Sequence, residues 1–190
     1  MKRLTIALCA LTLAGCVAMA KVETGDRAIG DRLAVKLDGA WNHLEAPGLG
    51  PAQTWTMEGL PIDQLLLYSG IKDGELVHAG GAGGKQKDFA FRSNMQAHEI
   101  VAMFEGMLTR DGSSFRLVKL EPSSFGGLKG FRFDYVLTRK VDNVVLSGVG
   151  YGGVSKGELF AILYMAPRLG FFARHAPRVE RIVQSARVKE

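Results

Sequence analysis

Cysteine is scarce in this sequence, which has only Cys9 and Cys16 among 190 residues. Cys9 lies in an apolar leader, so a chain that begins at Cys16 has one thiol and cannot form an internal disulfide. The same scarcity excludes the cysteine clusters that hold structural zinc. A folded domain of this chain must therefore be stabilised by its hydrophobic core.

Long apolar runs are missing as well. The apolar run at residues 4–13 follows Lys2 and Arg3, and it is too short to cross a bilayer, which requires roughly 20 residues. A short positive start followed by a short apolar run is typical of a secretory signal. We therefore predict that residues 1–15 are a signal peptide and exclude them from the fold.

The end of this leader contains two possible cleavage sites. The tetrapeptide LAGC at residues 13–16 resembles a bacterial lipobox, which implies lipidation of Cys16 and an anchored chain. The alternative is the small-x-small sequence AMA at residues 18–20, where cleavage after Ala20 would release a soluble protein. We favour the anchor at Cys16. By its resemblance to Gram-negative lipoproteins, Val17 in the next position implies the outer membrane, facing the periplasm.

The chain that remains has the size of one domain. Removal of residues 1–15 leaves 175 of the 190 residues, and no internal repeat is present. We predict a lipidated Cys16 with a tether over residues 16–31, because residues 21–31 are polar and contain Gly25 and Gly30. A single domain is predicted over residues 32–190.

The net charge of this chain is small. Loss of Lys2 and Arg3 reduces the basic residues from 24 to 22, against 19 acidic residues. Such a balance gives no basis for nucleic-acid binding, and we expect no nucleic-acid partner.

The first part of the domain predicts strands and then a helix. Alternating or β-branched apolar residues favour strands near residues 33–37, 40–44, 54–57 and 64–68. A capping box of Ser93 and Gln96 is predicted to start the helix. Its apolar stripe has helical spacing: Ile100, Met103, Phe104, Met107 and Leu108.

The second part predicts strands near residues 115–120, 130–137, 144–146 and 159–166. The last of these is apolar at every position, so we expect both of its faces to be covered. A helical stripe from Leu169 to Ala186 follows, and Pro177 predicts either a start near His175 or a kink.

Three segments begin like catalytic motifs but lack essential positions. The glycine-rich run at residues 80–84 has Ala79 and Gln86 where a phosphate loop needs glycine and a hydroxyl residue. His98 and Glu99 begin a zinc-protease helix, but the position of the second histidine is Ala102. The flanks of Ser147 lack the glycines of a nucleophile elbow.

The remaining histidines show no metal-ligand spacing: His43, His78 and His175. We therefore predict no catalytic residue, no metal and no cofactor, and expect that the protein is not an enzyme. A deep polar pocket around one histidine with a neighbouring carboxylate would favour an enzyme with dispersed residues instead.

The final helix carries a basic strip of Arg174, Arg178 and Arg181, spaced about one turn apart. Such a strip beside a lipid anchor could contact anionic lipid head groups. The alternative is a solvated face that Glu180 partly neutralises.

The order of elements in the last third of the chain resembles the PsbP-like fold. The resemblance rests on GFRFDY at residues 130–135, GELFAILY at 157–164, FF at 171–172 and VERIVQSAR at 179–187. It implies an α+β fold, a central antiparallel sheet flanked by helices in an α/β/α sandwich. These are packing residues, so the resemblance concerns the fold and transfers no functional residue.

The sequence thus predicts a lipoprotein with a non-catalytic binding, accessory or scaffold role at the cell envelope, with the membrane and envelope proteins as partners. The alternative is a soluble periplasmic protein, either an enzyme with dispersed residues or a carrier of an apolar ligand. A carrier would need a cavity between sheet and helix lined by Met103, Phe104 and Met107.

Overall fold

The computed structural model describes residues 18–45, 50–78 and 89–189. The predicted signal peptide, Cys16 and the glycine-rich run at residues 80–84 lie outside the described residues. The elements in chain order are β1 (Ala18–Val22), β2 (Gly25–Ile29), β3 (Leu33–Leu37), β4 (Trp41–Glu45), β5 (Gln53–Thr56), β6 (Gln64–Ile71), α1 (Ala97–Thr109), β7 (Ser114–Phe125), β8 (Leu128–Thr138), β9 (Val145–Ser155), β10 (Glu158–Pro167), α2 (Phe171–Ser185) and β11 (Arg187–Val188).

The centre of the fold is an eight-stranded sheet in the order β1-β4-β5-β6-β10-β9-β8-β7, in which every pair of neighbours is antiparallel. Alternate residues of the central strand β10 enter two different cores. Phe160 and Ile162 face one side and Ala161 and Leu163 the other. This confirms the expectation that both faces of β10 are covered, and with two flanking helices it confirms the α+β class.

Helix α1 covers one face of the sheet. Four residues of the predicted stripe are buried against it, with Phe104 fully enclosed. The capping prediction was wrong by one turn, because the backbone N–H of Gln96 donates to Glu99 Oε2 at 2.7 Å. Ser93 is used elsewhere, since its backbone N–H donates to Asp73 Oδ1 at 2.7 Å.

Helix α2 and a three-stranded sheet, in the order β11-β3-β2, cover the opposite face. α2 starts at Phe171 and contains Pro177, so the predicted start near His175 is wrong. Leu169 precedes the helix and is 88% exposed, whereas Val179, Ile182 and Val183 are buried. The second face is therefore closed by elements from both ends of the described chain.

The tether predicted over residues 16–31 is wrong for most of its length. Strand β1 is the edge of the large sheet, where it pairs with β4, and β2 pairs with β3 in the small sheet. Ile29 is 1% exposed in the core. The glycines that suggested a linker lie at the two ends of β2 instead. Gly25 and Gly30 have φ values of 118° and 55°, which glycine adopts at little cost.

Candidate ligand cavity

A cavity of about 380 Å³ lies between the last turn of α1 and the large sheet. Its volume falls near the lower end of the range of about 300–1000 Å³ for small-molecule sites. We call it the α1 cavity. Its walls are mainly apolar, and the principal side chains are Leu44, Leu66, Met107, Leu137, Leu146 and Met165.

The position of α1 on the sheet accounts for this space. α1 packs against β7 and β8, toward one edge of the sheet. The cavity lies beside it, where Leu44 of β4, Thr54 of β5 and Leu66 of β6 line the wall. Met107 and Leu108 of α1 close the helix side. One helix thus covers only part of a face that eight strands make wide.

The inner wall is uncharged apart from Asp63. The hydroxyl of Tyr68 donates to Met107 Sδ at 3.4 Å, and burial raises the pKa of Tyr68 well above its usual value. Asp63 also lines the cavity, but its carboxylate accepts hydrogen bonds from the Thr56 hydroxyl and from the backbone N–H groups of Met57 and Glu58. Asp63 therefore organises the chain after β5, and the rest of the inner wall is apolar or neutral.

Several polar groups lie at the rim. Arg139 is already engaged, because it pairs with Asp142 and its Nη1 donates to the Pro61 carbonyl at 2.7 Å. Asp111 accepts from the backbone N–H of Ser113 at 2.9 Å, and this bond lowers its pKa, which keeps the carboxylate charged. Both side chains thus have partners within the protein.

Arg110 and His78 differ from these two. Arg110 is exposed at the end of α1, and within the described ranges no carboxylate lies close enough to form an ion pair with it. Burial lowers the pKa of His78, and the positive charge of Arg110 lowers it further. Both effects favour the neutral form of His78, which lines the same cavity as an arginine that has no ionic partner in the described part of the chain.

A second polar cluster lies on the opposite face, where α2 meets the end of β5. His175 is 6% exposed, and its Nε2 lies 2.7 Å from Glu58 Oε1. Arg174 reaches the same carboxylate at 3.5 Å. His175 does not line the α1 cavity, and this pair joins α2 to the end of β5.

The structure places the other chemically suggestive residues apart. His43 lies 3.9 Å from Glu45 along β4, His98 is exposed at the start of α1, and Ser147 belongs to β9. No group of potential metal ligands forms in the described ranges. His175 has a carboxylate partner but does not line the α1 cavity, and His78 lines that cavity but has no described carboxylate within hydrogen-bonding distance.

The residues suggested for a carrier are divided. Met107 lines the cavity, but Met103 and Phe104 are buried in the core between α1 and the sheet. Sequence reasoning missed the wall residues Leu44, Leu66 and Leu137, since each belongs to a different strand, and it missed Arg110 as a rim residue.

The basic strip of α2 is paired with carboxylates from other elements. Arg178 and Arg181 both reach Asp38, at 3.5 and 2.5 Å, and Arg174 reaches Glu58. The carboxylates that neutralise this basic strip are therefore those of Asp38 and Glu58, which are distant in sequence, and not that of Glu180. Contact of this strip with lipid head groups stays a prediction.

Comparisons with known proteins place the fold but not the function. No family model and no curated protein matches the chain. The fold is that of PsbP-like proteins. The solution structure of cyanobacterial PsbP (CyanoP) from Synechocystis sp. PCC 6803 is similar with a TM-score of 0.57 and 12% identity, over 94% of this chain and 97% of that one.

Two further structures are similar at lower scores. Protein PA94 of unknown function from Pseudomonas aeruginosa has a TM-score of 0.43 at 12% identity and covers 86% of this chain and 96% of its own. LpqN, which is involved in cell envelope biogenesis of Mycobacterium tuberculosis, has a TM-score of 0.46 at 12% identity and covers 92% of both chains. At these identities the comparisons concern the fold alone. Neither helix in the described part of the chain is long and apolar enough to span a bilayer.

Proposed function

We propose that this protein is a lipid-anchored, non-catalytic binding protein of the bacterial cell envelope, whose α1 cavity takes a small and largely apolar ligand. The observation that carries the proposal is the cavity itself. Its apolar walls and a few polar groups at the rim are the usual composition of a ligand site. The rim groups with established partners, Asp63, Asp111 and Arg139, are held in structural hydrogen bonds and are poorly placed for acid-base chemistry.

The register of β1 supports an anchor at Cys16. Five positions pair β1 with β4, from Ala18 with Glu45 to Val22 with Trp41. Cleavage after Ala20 would remove three of these five, whereas cleavage before Cys16 keeps the whole strand. The longer product therefore preserves more of the sheet. In this proposal the anchor lies in the outer membrane and the domain faces the periplasm.

The same register supports a site close to the membrane. Met19 pairs with Leu44, and Leu44 lines the α1 cavity. Cys16 precedes Met19 by three residues, which span at most about 11 Å when extended. A lipid on Cys16 would hold this side of the domain near the bilayer surface, where amphipathic ligands are concentrated.

Ligand binding is tested with 1-octanol as the probe, by calorimetry and by NMR of the Met107 methyl group. We expect saturable binding to the wild type. Leu66→Phe should weaken it at least about tenfold, because the added ring occupies part of the cavity and a loss of 1.4 kcal/mol is tenfold in affinity. Leu117→Phe is the matched control, since Leu117 is 40% exposed on β7. Absence of saturable binding, or equal binding by both variants, would contradict the proposal.

Anchoring is tested by the intact mass of protein purified from membranes of a Gram-negative host, beside a Cys16→Ser variant. We expect the wild type to begin at Cys16 with the added mass of a diacylglyceryl group and an acyl chain. The variant should lack this mass and leave the membrane fraction, because several acyl chains are needed for stable anchoring. An unmodified chain that begins at Lys21 would refute the anchor and favour the soluble alternative.

A further inference from the structure

We infer that the natural ligand of the α1 cavity is an amphipathic monoanion, whose apolar part fills the cavity and whose anionic group is received by Arg110 and His78. This inference rests on the proposed ligand-binding function and specifies the chemical class of the ligand. It depends on how charge is distributed around the cavity.

The charged residues of the rim are Asp63, Asp111, Arg110 and Arg139. Three have defined partners. Asp63 accepts from two backbone N–H groups and the Thr56 hydroxyl, Asp111 accepts from the Ser113 backbone, and Arg139 pairs with Asp142. Arg110 interacts electrostatically with the neighbouring Asp111 but forms no ion pair within the described ranges. Asp63 and Asp111 keep their negative charge, but their oxygens are engaged in hydrogen bonds. Within the described ranges Arg110 is therefore the charged rim group that is left to receive an anion.

His78 supplies the second contact. It lines the same cavity, and the charge of Arg110 contributes to its lowered pKa, so Arg110 acts electrostatically on the same part of the rim. A neutral imidazole can donate one hydrogen bond to an anion, and Arg110 can donate a charge-assisted bond. The lining then matches a molecule with one charged end, because the cavity wall also includes the apolar side chains of Leu66 and Leu137 and the ring of Tyr68.

Octanoate and 1-octanol are a matched pair of probes, since they have the same chain length and differ in charge. At pH 7 we expect wild-type protein to bind octanoate about tenfold more tightly than 1-octanol, which corresponds to about 1.4 kcal/mol for one charge-assisted contact. Arg110→Gln should remove this preference, so that octanoate binds no more tightly than 1-octanol to the variant. Arg116→Gln is the control, because Arg116 is exposed on β7 and does not line the cavity.

The titration of the His78 ring by NMR gives a second readout. Bound octanoate should raise the pKa of His78, because a negative charge beside the imidazole stabilises its protonated form, whereas bound 1-octanol should not raise it. In ligand-free protein, Arg110→Gln should raise the same pKa by removing a positive charge. A His78 titration unaffected by octanoate would overturn the assignment of the anionic group to this rim.

The outcomes separate the two proposals. If 1-octanol binds but octanoate has no advantage, or if Arg110→Gln leaves the advantage intact, the anion inference is wrong and the proposed binding function stands. If neither probe binds, the binding function itself is wrong.

Vesicles of phosphatidylcholine that contain octanoate show whether the protein takes its ligand from the membrane or from solution. Faster uptake by the anchored protein than by Cys16→Ser assigns the monoanion to the membrane, and equal uptake assigns it to solution.

Discussion

At the scale of single residues, the contact between Gly150 and Phe133 shows how tightly the α1 face is packed. Gly150 and Phe133 occupy opposite positions on β9 and β8, and Phe133 is fully buried. A Cβ atom at Gly150 would overlap the Phe133 ring. Gly148 and Gly152 stand in the same relation to Tyr135 and Phe131. These glycines are therefore selected by the aromatic side chains that lie across them.

We predict that Gly150→Ala lowers the free energy of unfolding by about 1–3 kcal/mol, the usual cost of overpacking a core. The measurement is the midpoint of urea unfolding, which reports stability when the variant and the wild type have the same m-value. Gly153→Ala is the control on the same strand, since its Cβ would lie 3.3 Å from the flexible Leu128 side chain. Equal loss in both variants would show that strand propensity matters more than the Phe133 contact.

At the scale of elements, β1 is the strand whose presence depends on where the chain is cut. A chain that starts at Lys21 keeps only the pairs of Lys21 with Asn42 and of Val22 with Trp41. β4 would then have lost most of its partner strand on that side, and its backbone amide hydrogens would exchange with solvent more readily.

We predict that a chain starting at Lys21 unfolds at a lower urea concentration than a Cys16→Ser chain starting at residue 16. Amide exchange of His43 and Glu45 should be faster in the shorter chain, while exchange in β9 should be unchanged. Identical midpoints and identical exchange in β4 would mean that β1 contributes nothing to the sheet, and the structural support for an anchor at Cys16 would be lost.

At the scale of the whole molecule, the two cores share the same strands. Leu65 and Leu67 of β6 enter the core under α2, and Leu66 and Tyr68 enter the core under α1. Loss of order in β6 or β10 would therefore expose both cores at once, which is the condition for cooperative unfolding.

We predict a single transition in urea. Trp41 and Trp55 both lie in the core under α2, so tryptophan fluorescence reports that face, while the methyl signals of Met103 and Met107 report the α1 face. The two curves should coincide. Separate midpoints would show that α1 and its core unfold independently of the rest.

Much of the fold follows from local patterns. Apolar alternation at residues 130–137 and the stripe of α1 predicted those elements, and the unbroken apolar character of β10 predicted a covered central strand. Patterns failed where secondary structure depends on distant partners. β1 and β2 have five residues each, and their pairing with β4 and β3 cannot be read from their own residues.

The candidate site was predicted least well, for the same reason. Met107 was named because it belongs to a helical stripe, but Leu44, Leu66 and Leu137 come from three strands that the sheet order brings together. Arg110 lies at the end of α1, and only the tertiary structure places it at the rim of the cavity. The ion pairs of the basic strip likewise join residues more than 100 positions apart, such as Arg181 and Asp38.

The sequence by itself determined the scarcity of thiols, the predicted leader and the strand that is covered on both faces, because each depends on composition or on the spacing of neighbours, and the α+β class was implied by the resemblance of residues 130–187 to the PsbP-like fold. The tertiary structure decided where the strands pair, that residues 18–29 belong to the sheets, and that one helix leaves part of a wide sheet face as a cavity. Those features arise from contacts between residues distant in the chain, which local periodicity does not record.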